Sequence, residues 1–394
     1  MTETLTIRNF GPIKDVTIDI RKVTVLIGEQ GTGKSTIVKL LNICRYFSFI
    51  TDFDYFEKER NAFSFGLLSI NLMEYINENT YLHYSCKHYS IEGITAKIKY
   101  DPTLGHDEHL FNYELKVNLE PKSDEFKKLL ADLKKIHGGE EYFSLSETPV
   151  SFFQNNVAKV MDNPFYLPAE RGLQSIFSLG KSSIQNLSDT LFNQLAKLDN
   201  ISRRFNEETE IRPLGIFYKN VNGSGLVKKR ESNSYYSLSG GASGYQSTIP
   251  VVLAIKYYSQ IRKKSKTFFI EEPELHLFPN AQSLLVDYIV EHTNVYGHSM
   301  LVTTHSPYIL ASLNNLMSAH NAGRLDKKDT SKVIPEKCWL NPDEVSAYML
   351  HNGTCEDIMD RDENMIKAEK IDGISGILNE QFDKLLGIEF EHKK

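Results

Sequence analysis

The sequence predicts an α/β fold in which a phosphate-binding loop connects a buried strand to a helix. Three observations indicate this fold: the loop GEQGTGKST at residues 28–36, an apolar strand that ends in paired acids, and another that ends in a histidine. The chain has 394 residues, of which 41% are hydrophobic and 24% charged, an ordinary globular composition. We therefore expect one nucleotide-binding head that carries an insertion.

Charge and cysteine usage exclude several classes of protein. A net charge of −6 provides no bulk attraction to nucleic acid or to an anionic membrane, which leaves only a local basic patch for nucleic acid. The four cysteines form no C-x-x-C pair, so neither a zinc ribbon nor a redox motif is indicated, and the cytoplasm is the expected compartment. The sequence has no signal-peptide pattern and no apolar run of about 18 residues, so we expect no membrane segment.

The N-terminal residues predict two strands before the loop strand. TLTIRNFGPIKDVTIDI alternates apolar and polar residues on both sides of a Gly-Pro turn. KVTVLIG, at residues 22–28, is an apolar run typical of a buried strand. We expect a hairpin that leads into the strand of the phosphate-binding loop.

The loop fits the pattern G-x-x-x-x-G-K-[ST], with Gly28, Gly33, Lys34 and Ser35 at the defined positions. Glycines allow backbone N–H groups to surround phosphate oxygens, the lysine supplies positive charge, and the hydroxyl coordinates Mg²⁺. The following KSTIVKLLNICRYF predicts a helix whose N-terminus faces the phosphates. Its apolar stripe consists of Ile37, Leu40, Leu41, Cys44 and Phe47. A glycine-rich turn that merely links strand to helix is the alternative that this context disfavours.

Residues 50–160 differ in composition, and we interpret them as an insertion with a small sheet of its own and a helix. The strand-like pieces are ITAKIKY and NYELKVNL, and the helical stretch is SDEFKKLLADLKKIHG. Beyond FYLPAERG, a helical region extends to about residue 205, and residues 219–237 have the composition of a loop or hairpin.

The segment KTFFIEEPELHLFP, residues 266–279, predicts an apolar strand that ends in Glu271 and Glu272. Magnesium-assisted hydrolysis needs one acid near the metal and another that orients and deprotonates water. Consecutive acids at a strand end can fill both roles because successive side chains point to opposite faces. An acidic turn that caps the helix after Pro279 is the alternative.

The next apolar strand, in SMLVTTHSPYIL, ends at His305. A histidine at the C-terminal edge of a strand can reach a γ-phosphate and respond to its presence. A purely structural histidine is the alternative, and the paired acids on the preceding strand make it the weaker one.

A further helix follows the Gly- and Ser-rich segment LSGGASGYQ at residues 238–246. Exposed amides at its start, beside a serine hydroxyl, suit a phosphate. The helix carries Val251, Ala254, Ile255 and Tyr258 on one face and ends in Arg262, Lys263, Lys264 and Lys266. These cations either complement the C-terminal end of the helix dipole or form a nucleic-acid patch.

In this order the loop, the serine–glycine helix start, the acidic strand and the strand-end histidine resemble the ABC-type ATPase superfamily. LTIRNFGPIK before the loop, FYLPAERG, EEPELHLFP and TTHSPYIL are similar to the hallmarks of its SMC-like and OLD-like (overcoming lysogenization defect) branch. The resemblance covers about residues 3–46 and 163–315. It implies a P-loop NTPase of the α/β class, an ABC/SMC-type head with a mixed sheet, a helical lobe and an inserted α+β segment.

The resemblance also implies a division of the chain into five parts. Residues 1–50 form the N-terminal lobe with the Walker A loop, 51–162 the insertion, 163–265 the helical signature lobe, 266–320 the Walker B and switch-histidine core, and 321–394 a C-terminal strand and helix extension. A family member would differentiate in the insertion, so a partner surface is expected there.

Roles for individual residues follow from the resemblance. Lys34 and Ser35 correspond to the Walker A residues for phosphate and magnesium. Glu271 corresponds to the metal-side acid of Walker B, Glu272 to the catalytic base and His305 to the switch histidine.

Ser243 and Gly244 correspond to the signature motif, which in such proteins completes the nucleotide site of a second subunit. LSGG at residues 238–241 is the alternative register. The implied ATP-binding residues are Gly28, Gln30, Gly31, Gly33, Lys34, Ser35, Thr36, Ser243 and Gly244, and the implied Mg²⁺ ligands are Ser35 and Glu271.

Three departures from the family pattern affect the site. Gln30 stands where this branch usually has Asn, and Glu271 where ABC proteins generally have Asp, which leaves metal geometry and hydrolysis rate open. No clear Q-loop is visible. Arg171 or Glu170 either takes its role or forms a salt bridge at a domain interface.

The residues after His305 are too few for the complete TOPRIM nuclease of OLD proteins. Among these residues, the candidate for the acidic motif of a nuclease is EDIMDRDEN. It follows no apolar strand, so we expect a solvated loop there. It contains Glu356, Asp357, Asp360 and Asp362. The next segment, KAEKIDGISGILNEQFDKLLG, predicts an amphipathic helix that packs on the head or on a partner. Its apolar residues are Ile371, Ile374, Leu378, Phe382 and Leu385.

Such ATPases form head-to-tail dimers that enclose two ATP molecules. One chain with a single copy of each motif therefore implies a homodimer, a higher homo-oligomer or a pair of related heads. We expect an ATP-driven sensor and switch in anti-phage defence, with a nuclease or toxin effector encoded separately. The rival functions are a DNA-repair or SMC-like head that binds nucleic acid directly, and a slow ATPase that serves as a nucleotide-gated scaffold.

Overall fold

The computed structural model describes residues 3–45, 62–97, 113–136, 163–177, 189–367 and 380–386. Its strands are β1 (Glu3–Phe10), β2 (Ile13–Ile20), β3 (Val23–Gly28), β4 (Ile76–Ser85), β5 (Tyr89–Lys97), β6 (Tyr113–Pro121), β7 (Phe165–Leu167), β8 (Thr209–Ile211), β9 (Ile216–Val221), β10 (Ser224–Lys229), β11 (Tyr236–Ser237), β12 (Thr267–Glu271), β13 (Ser299–Thr304), β14 (Val345–His351), β15 (Thr354–Asp357), β16 (Met359–Asp360) and β17 (Met365–Ile366). Its helices are α1 (Lys34–Arg45), α2 (Ala62–Ser69), α3 (Asp124–Ile136), α4 (Gln174–Phe177), α5 (Asp189–Ser202), α6 (Ser243–Lys256), α7 (Pro279–Tyr296), α8 (Pro307–Gly323) and α9 (Lys327–Val333). Phe47, Ile371, Ile374 and Leu378, which we expect on helical faces, lie outside the described residues.

Eleven strands form one large mixed sheet in the order β6-β5-β4-β1-β2-β15-β14-β3-β13-β12-β7. From β14 to β7 the neighbours are parallel, and from β6 to β2 they are antiparallel. β15 joins the halves, antiparallel to β14 and parallel to β2. The predicted α/β fold with a mixed sheet is therefore confirmed. Its parallel half brings the carboxyl ends of β3, β12 and β13 to one edge, where ligands bind in such sheets.

The expected N-terminal hairpin and buried loop strand are both present. β1 pairs antiparallel with β2, and Gly11 in the turn between them has a φ of +52°. β3 is buried as far as Ile27 because it lies between two parallel neighbours. The helix after the loop, α1, buries the predicted stripe of Ile37, Leu40, Leu41 and Cys44.

The strands of the insertion do not form a sheet of their own, so that expectation is wrong. β4 pairs with β1, placing Leu82 opposite Ile7, and β5 and β6 continue the main sheet outwards. This arrangement covers the outer edge of β1, whose backbone groups would otherwise lack partners. It also buries Leu82 and Tyr84 in the same apolar cluster as Leu40 of α1. The predicted helix of the insertion is α3, on which the ring of Phe126 stacks on the β5 residue Tyr89.

The C-terminal strand β14 lies in the centre of the large sheet. It pairs parallel with the loop strand β3, from Val345 opposite Val23 to Leu350 opposite Gly28. The turn that follows holds Gly353, whose carbonyl accepts hydrogen bonds from the first residues of β2. The tail that we expected as an extension therefore contributes a core strand beside the phosphate-binding loop.

The acidic segment EDIMDRDEN forms short strands, so our expectation of a solvated loop there is wrong. It does follow an apolar strand, because the buried β14 turns directly into β15, and β16 then pairs with β17. The Asp360 carboxylate accepts hydrogen bonds from the backbone N–H groups of Asp362 and Glu363, which makes the turn between the last two strands. In the described ranges, no three His, Cys, Asp or Glu side chains cluster as metal ligands.

A second, four-stranded sheet in the order β11-β10-β9-β8 contains the hairpin expected near residues 219–237. α6 begins at Ser243 and buries Val251, Ala254 and Ile255 of its predicted face, whereas Tyr258 belongs to a π-helical turn at Tyr257–Ile261. Among the described helices, none combines the length and apolarity needed to cross a bilayer.

Candidate functional site

The phosphate-binding loop connects β3 to α1 through glycines in left-handed backbone conformations. Gly31 has a φ of +75° and Gly33 a φ of +98°, which L side chains rarely adopt. A Cβ atom at Gly33 would lie 2.9 Å from Cγ1 of Ile13, in the hairpin behind the loop. Gln30, Gly31 and Ser35 are exposed, whereas Thr36 is buried in the first turn of α1.

Lys34 is the first residue of α1, and its side chain folds back under the loop. Its Nζ donates to the carbonyl oxygens of Gly28 at 2.7 Å and Glu29 at 2.8 Å. Burial lowers the pKa of the ammonium, while Glu272 and the neighbouring acids favour its charged form. The positive charge is therefore held at the mouth of the loop, where phosphate oxygens would compete for its hydrogen bonds.

Glu271, the last residue of β12, is 4% exposed. Burial raises the pKa of its carboxyl, and the positive charge of Lys39 and the nearby Ser35 and Tyr166 hydroxyls oppose that rise. Its Oε2 accepts weakly from the N–H of Ala169 at 3.4 Å, whereas its Oε1 is buried and has no hydrogen-bond partner among the described residues.

An unpartnered carboxylate oxygen next to a serine hydroxyl fits a divalent cation. Mg²⁺ is usually held by one or two protein oxygens together with phosphates and water, not by a complete protein cage. The Glu271 carboxylate and the Ser35 hydroxyl would supply those protein oxygens, and the ion would remove the cost of the orphaned Oε1.

Glu272 follows the strand in a left-handed conformation, with a φ of +43°. Its N–H donates to the Thr303 carbonyl on β13 at 2.9 Å. This conformation turns its side chain away from Glu271, so that Oε1 lies 3.4 Å from Nε2 of His305. Both side chains are partly exposed at the carboxyl edge of the sheet, as a general base and a phosphate-contacting group require.

His305 comes directly after β13 and contacts both sides of the site. Its Nδ1 lies 3.5 Å from Nζ of Lys34. Because an ammonium can only donate, Nδ1 is the acceptor and Nε2 carries the proton that faces Glu272. The structure thus brings the loop lysine, the second acid and the strand-end histidine together, as expected from their positions on adjacent strands.

Glu274 is a residue of the site that the sequence analysis does not identify. Its Oε1 accepts from the Thr304 hydroxyl at 2.7 Å and from the His305 N–H at 2.8 Å. Its Oε2 is buried without a partner. The signal that could have found it is its position as the third acid of EEPE, two residues beyond the paired acids.

Arg171, in PAERG, is completely buried, and its hydrogen-bond partners are main-chain groups. Its guanidinium donates to the carbonyl oxygens of Pro168, Ser247, Glu271 and Glu272. Within the described part of the chain it forms no ion pair, so the expected salt bridge is not found at Arg171. The neighbouring Glu170 is exposed.

The Ser-Gly start of α6 lies against the loop that follows the paired acids. Ser243 is exposed, and Gly244 packs so tightly that a Cβ atom would lie 2.8 Å from the carbonyl oxygen of His276. The Ser247 hydroxyl, one turn later, donates to the Leu275 carbonyl at 2.7 Å. The alternative register at residues 238–241 belongs to a separate 3₁₀ turn before α6.

Residues 1–310 match the family described as the AAA ATPase domain, which is more than three quarters of the chain. The chain belongs to this family. The matched residues of the AAA ATPase domain contain the phosphate-binding loop, the paired acids and His305. β14 lies beyond the matched residues although it pairs with the loop strand.

No curated protein matches the sequence. Among solved structures, the chain is similar to the SMC head domain from Thermotoga maritima, with 11% identity, a TM-score of 0.40 and coverage of 91% of this chain and 98% of that chain. It is also similar to an SMC head bound to the C-winged helix domain of ScpA, with 13% identity, a TM-score of 0.40 and coverage of 92% and 99%. A third is an SMC head with an extended coiled coil bound to the C-terminal domain of ScpA derived from Pyrococcus furiosus, with 9% identity, a TM-score of 0.38 and coverage of 91% and 95%. Likenesses this distant say nothing about the partners of the present chain.

Proposed function

We propose that this protein binds and hydrolyses ATP with Mg²⁺, and that head-to-tail dimerisation around ATP makes it a switch for a partner effector. The observation that carries the proposal is the convergence of the loop lysine, two acids and a histidine at one edge of the sheet. These groups come from the ends of β3, β12 and β13. Phosphoryl transfer to water needs little more than positioning and charge of this kind.

Each group has a defined task in this proposal. Lys34 and the backbone amides of the loop hold the β- and γ-phosphates. Ser35 and Glu271 supply the protein oxygens for Mg²⁺, which neutralises phosphate charge when bound. Glu272 orients water and takes its proton, and the Nε2 proton of His305 faces the same space.

The exposed start of α6 supports the dimer. Ser243 is exposed at the start of α6, so its hydroxyl can bind phosphate in a second subunit. Phe278 and Tyr308, which are 80% and 53% exposed, lie just beyond the paired acids and His305. Exposed aromatic side chains beside a site are typical of contact surfaces. A second copy of the chain would bury them.

The role as a sensor in anti-phage defence rests on the resemblance to OLD-like ATPases described above. In this proposal, ATP closes the dimer and hydrolysis or a ligand opens it, which changes its hold on a separately encoded nuclease or toxin.

One observation favours the rival function of direct nucleic-acid binding. Lys263 and Lys264 are exposed after the π-helical turn. Arg262 and Lys266 of the same cluster are partly engaged, because they lie over the rings of Tyr257 and Tyr258. Two exposed lysines form a small patch, so stimulation of the ATPase by DNA decides between the two functions.

The decisive experiment measures phosphate release and oligomer mass together for the wild type and for Glu272→Gln, with ATP and magnesium, with and without DNA. We expect the wild type to release phosphate and the variant to lose roughly 100-fold or more of the rate while it accumulates as an ATP-bound dimer. Glu231→Gln, a change at an exposed acid remote in sequence from the motifs, should behave as the wild type.

Binding of ATP by both proteins without phosphate release would contradict hydrolysis and favour a nucleotide-gated scaffold. Strong stimulation by DNA would favour the repair or SMC-like head. A monomer at saturating ATP in Glu272→Gln would contradict the dimer.

A further inference from the structure

Arg171 connects three parts of the site through main-chain contacts. Its Nη1 donates to the carbonyl oxygens of Pro168 at 3.0 Å and Glu271 at 2.5 Å, and its Nη2 donates to that of Glu272 at 2.8 Å. Its Nε donates to the carbonyl oxygen of Ser247 at 2.7 Å. One side chain therefore binds the segment after β7, the end of β12 and the first turns of α6.

The environment of this guanidinium is unusual for an arginine. It is completely buried, and its hydrogen-bond acceptors are carbonyl oxygens instead of a carboxylate. Burial lowers the pKa of Arg171 to about 10, and the field of Glu274 and the paired acids opposes that fall. A buried charge is expensive unless its geometry is well satisfied, and only the planar five-donor fork of arginine can satisfy four carbonyls at once.

The contact with Glu272 acts on a strained residue. A φ of +43° lies in the left-handed region that non-glycine residues rarely adopt, so the surroundings of Glu272 hold it there. The N–H of Glu272 donates to Thr303, and its carbonyl accepts from Arg171 and from the N–H of Leu275, so these bonds fix the peptide units on both sides of its Cα atom. The direction of the Glu272 side chain toward His305 depends on that fixation.

The contact with α6 acts on the helix that begins at Ser243. Ser247 is one turn from that start, and its carbonyl accepts from Arg171 while its hydroxyl donates to the Leu275 carbonyl. A displacement of the start of α6 would therefore move the acceptor of Arg171 and the loop that follows Glu272 together.

We propose that Arg171 is a positioning residue that couples the start of α6 to the backbone of Glu272. Because the proposed function places that helix start against ATP in the partner subunit, the inference rests on the proposed dimer. Occupancy of one nucleotide site then sets the geometry of the base in the other. Arg171 touches neither ATP nor water in this scheme.

The test compares the wild type, Arg171→Lys and Arg45→Lys by three measurements: equilibrium ATP binding, kcat and KM, and hydrogen exchange of a peptide that spans residues 268–277 with and without ATP. Lysine retains the charge but cannot bind four carbonyls. Arg45 is a matched control, because its guanidinium is also largely buried and lies over the ring of Phe269 in the same peptide, but its carboxylate partner is Glu3 at the far end of α1.

For Arg171→Lys we expect ATP affinity within about threefold of the wild type, kcat lowered roughly 100-fold, and loss of the ATP-induced protection of residues 268–277. For Arg45→Lys we expect lower thermal stability with kcat and protection retained. The Glu272→Gln background gives the protection result with turnover lowered roughly 100-fold or more.

Two results would overturn the inference: wild-type kcat and protection in Arg171→Lys, or equal losses in both variants, which would indicate a general effect of stability. Failure of the proposed hydrolysis gives a result that differs from failure of this inference. In that case the wild type releases no phosphate, while the loss of protection in Arg171→Lys still reports the coupling.

Discussion

At the scale of the residue, the site depends on a few backbone positions that admit a single residue type. Gly33 is one of them because its φ is +98° and a Cβ atom would press against Ile13. The position therefore links the shape of the phosphate-binding loop to the hairpin behind it.

Gly33→Ala should reduce ATP affinity at least tenfold and the free energy of unfolding by about 1–3 kcal/mol. Calorimetric titration with ATP and denaturant unfolding measure the two effects. Gly215→Ala is the matched control: its φ is +62° but nothing lies near its Cβ position, so we expect a stability cost of about 1 kcal/mol without loss of ATP binding. Equal ATP affinities in both variants would contradict the role of the close contact.

Glu274 gives a second prediction at this scale. Glu274→Ala removes the acceptor for the His305 N–H and the Thr304 hydroxyl, so kcat should fall roughly 10-fold to 100-fold with little change in ATP affinity. Glu274→Gln keeps an acceptor oxygen and should recover most of the rate. Steady-state kinetics of the two variants measure the difference, and the same rate in both would show that charge, not orientation, is the contribution of Glu274.

At the scale of the element, α7 is held against the rest of the head by ion pairs at Glu291. Arg212 and Lys337, from two short 3₁₀ turns, both bind this carboxylate. Burial alone would raise the pKa of Glu291, but hydrogen bonds from the two cations outweigh it and hold the pKa below its ordinary value of 4.5.

Stability from this contact should depend on pH with a definite sign. A carboxyl whose pKa is lower in the folded state contributes stability above pH 4.5, and that contribution is lost as pH falls through the folded value. Since both cations are partly exposed, we expect Glu291→Gln to cost only about 0.5–1 kcal/mol at pH 7 and little at pH 3. Urea unfolding at several pH values measures this. Glu336→Gln, in an exposed pair with Lys327, should cost nothing measurable, and an equal cost would refute the assignment.

At the scale of the whole molecule, the large sheet joins segments that are distant in sequence. Its centre contains β14 from the tail, and one edge contains β4–β6 from the insertion. The five parts proposed above are therefore regions of the sequence that contribute strands to a common sheet. Deletion of the whole insertion would remove Leu82 and Tyr84 and expose β1 and the apolar residues that they cover, such as Ile7 and Leu40, so a partner surface there is better tested by changes of exposed side chains.

Truncation tests the place of β14 in the core. A chain that ends at Glu344 loses the strand beside β3, and we expect it to be unfolded or insoluble. A chain that ends at Lys367 retains β14–β17 and should bind ATP, because in residues 380–386 the apolar Phe382 and Leu385 are mostly exposed. Circular dichroism and ATP binding distinguish the two, and a folded, ATP-binding chain that ends at Glu344 would contradict the central role of β14.

The sequence by itself determined which residues form the candidate site. The glycines, lysine and serine of the loop, the paired acids and the strand-end histidine are neighbours in sequence or follow alternating apolar runs, so local patterns identify them. The fold class followed from the same patterns. The structure then brought Lys34, Glu272 and His305 together through adjacent parallel strands.

Only the tertiary structure decided which strands pair and which residues support the site. β14 and β4 pair with strands hundreds or tens of residues away, and an apolar alternation does not specify its partner. Arg171 and Glu274 act on main-chain groups of distant segments, and those groups carry no signature in the sequence. Local patterns could therefore identify the residues of the candidate site, whereas non-local packing fixed their orientation.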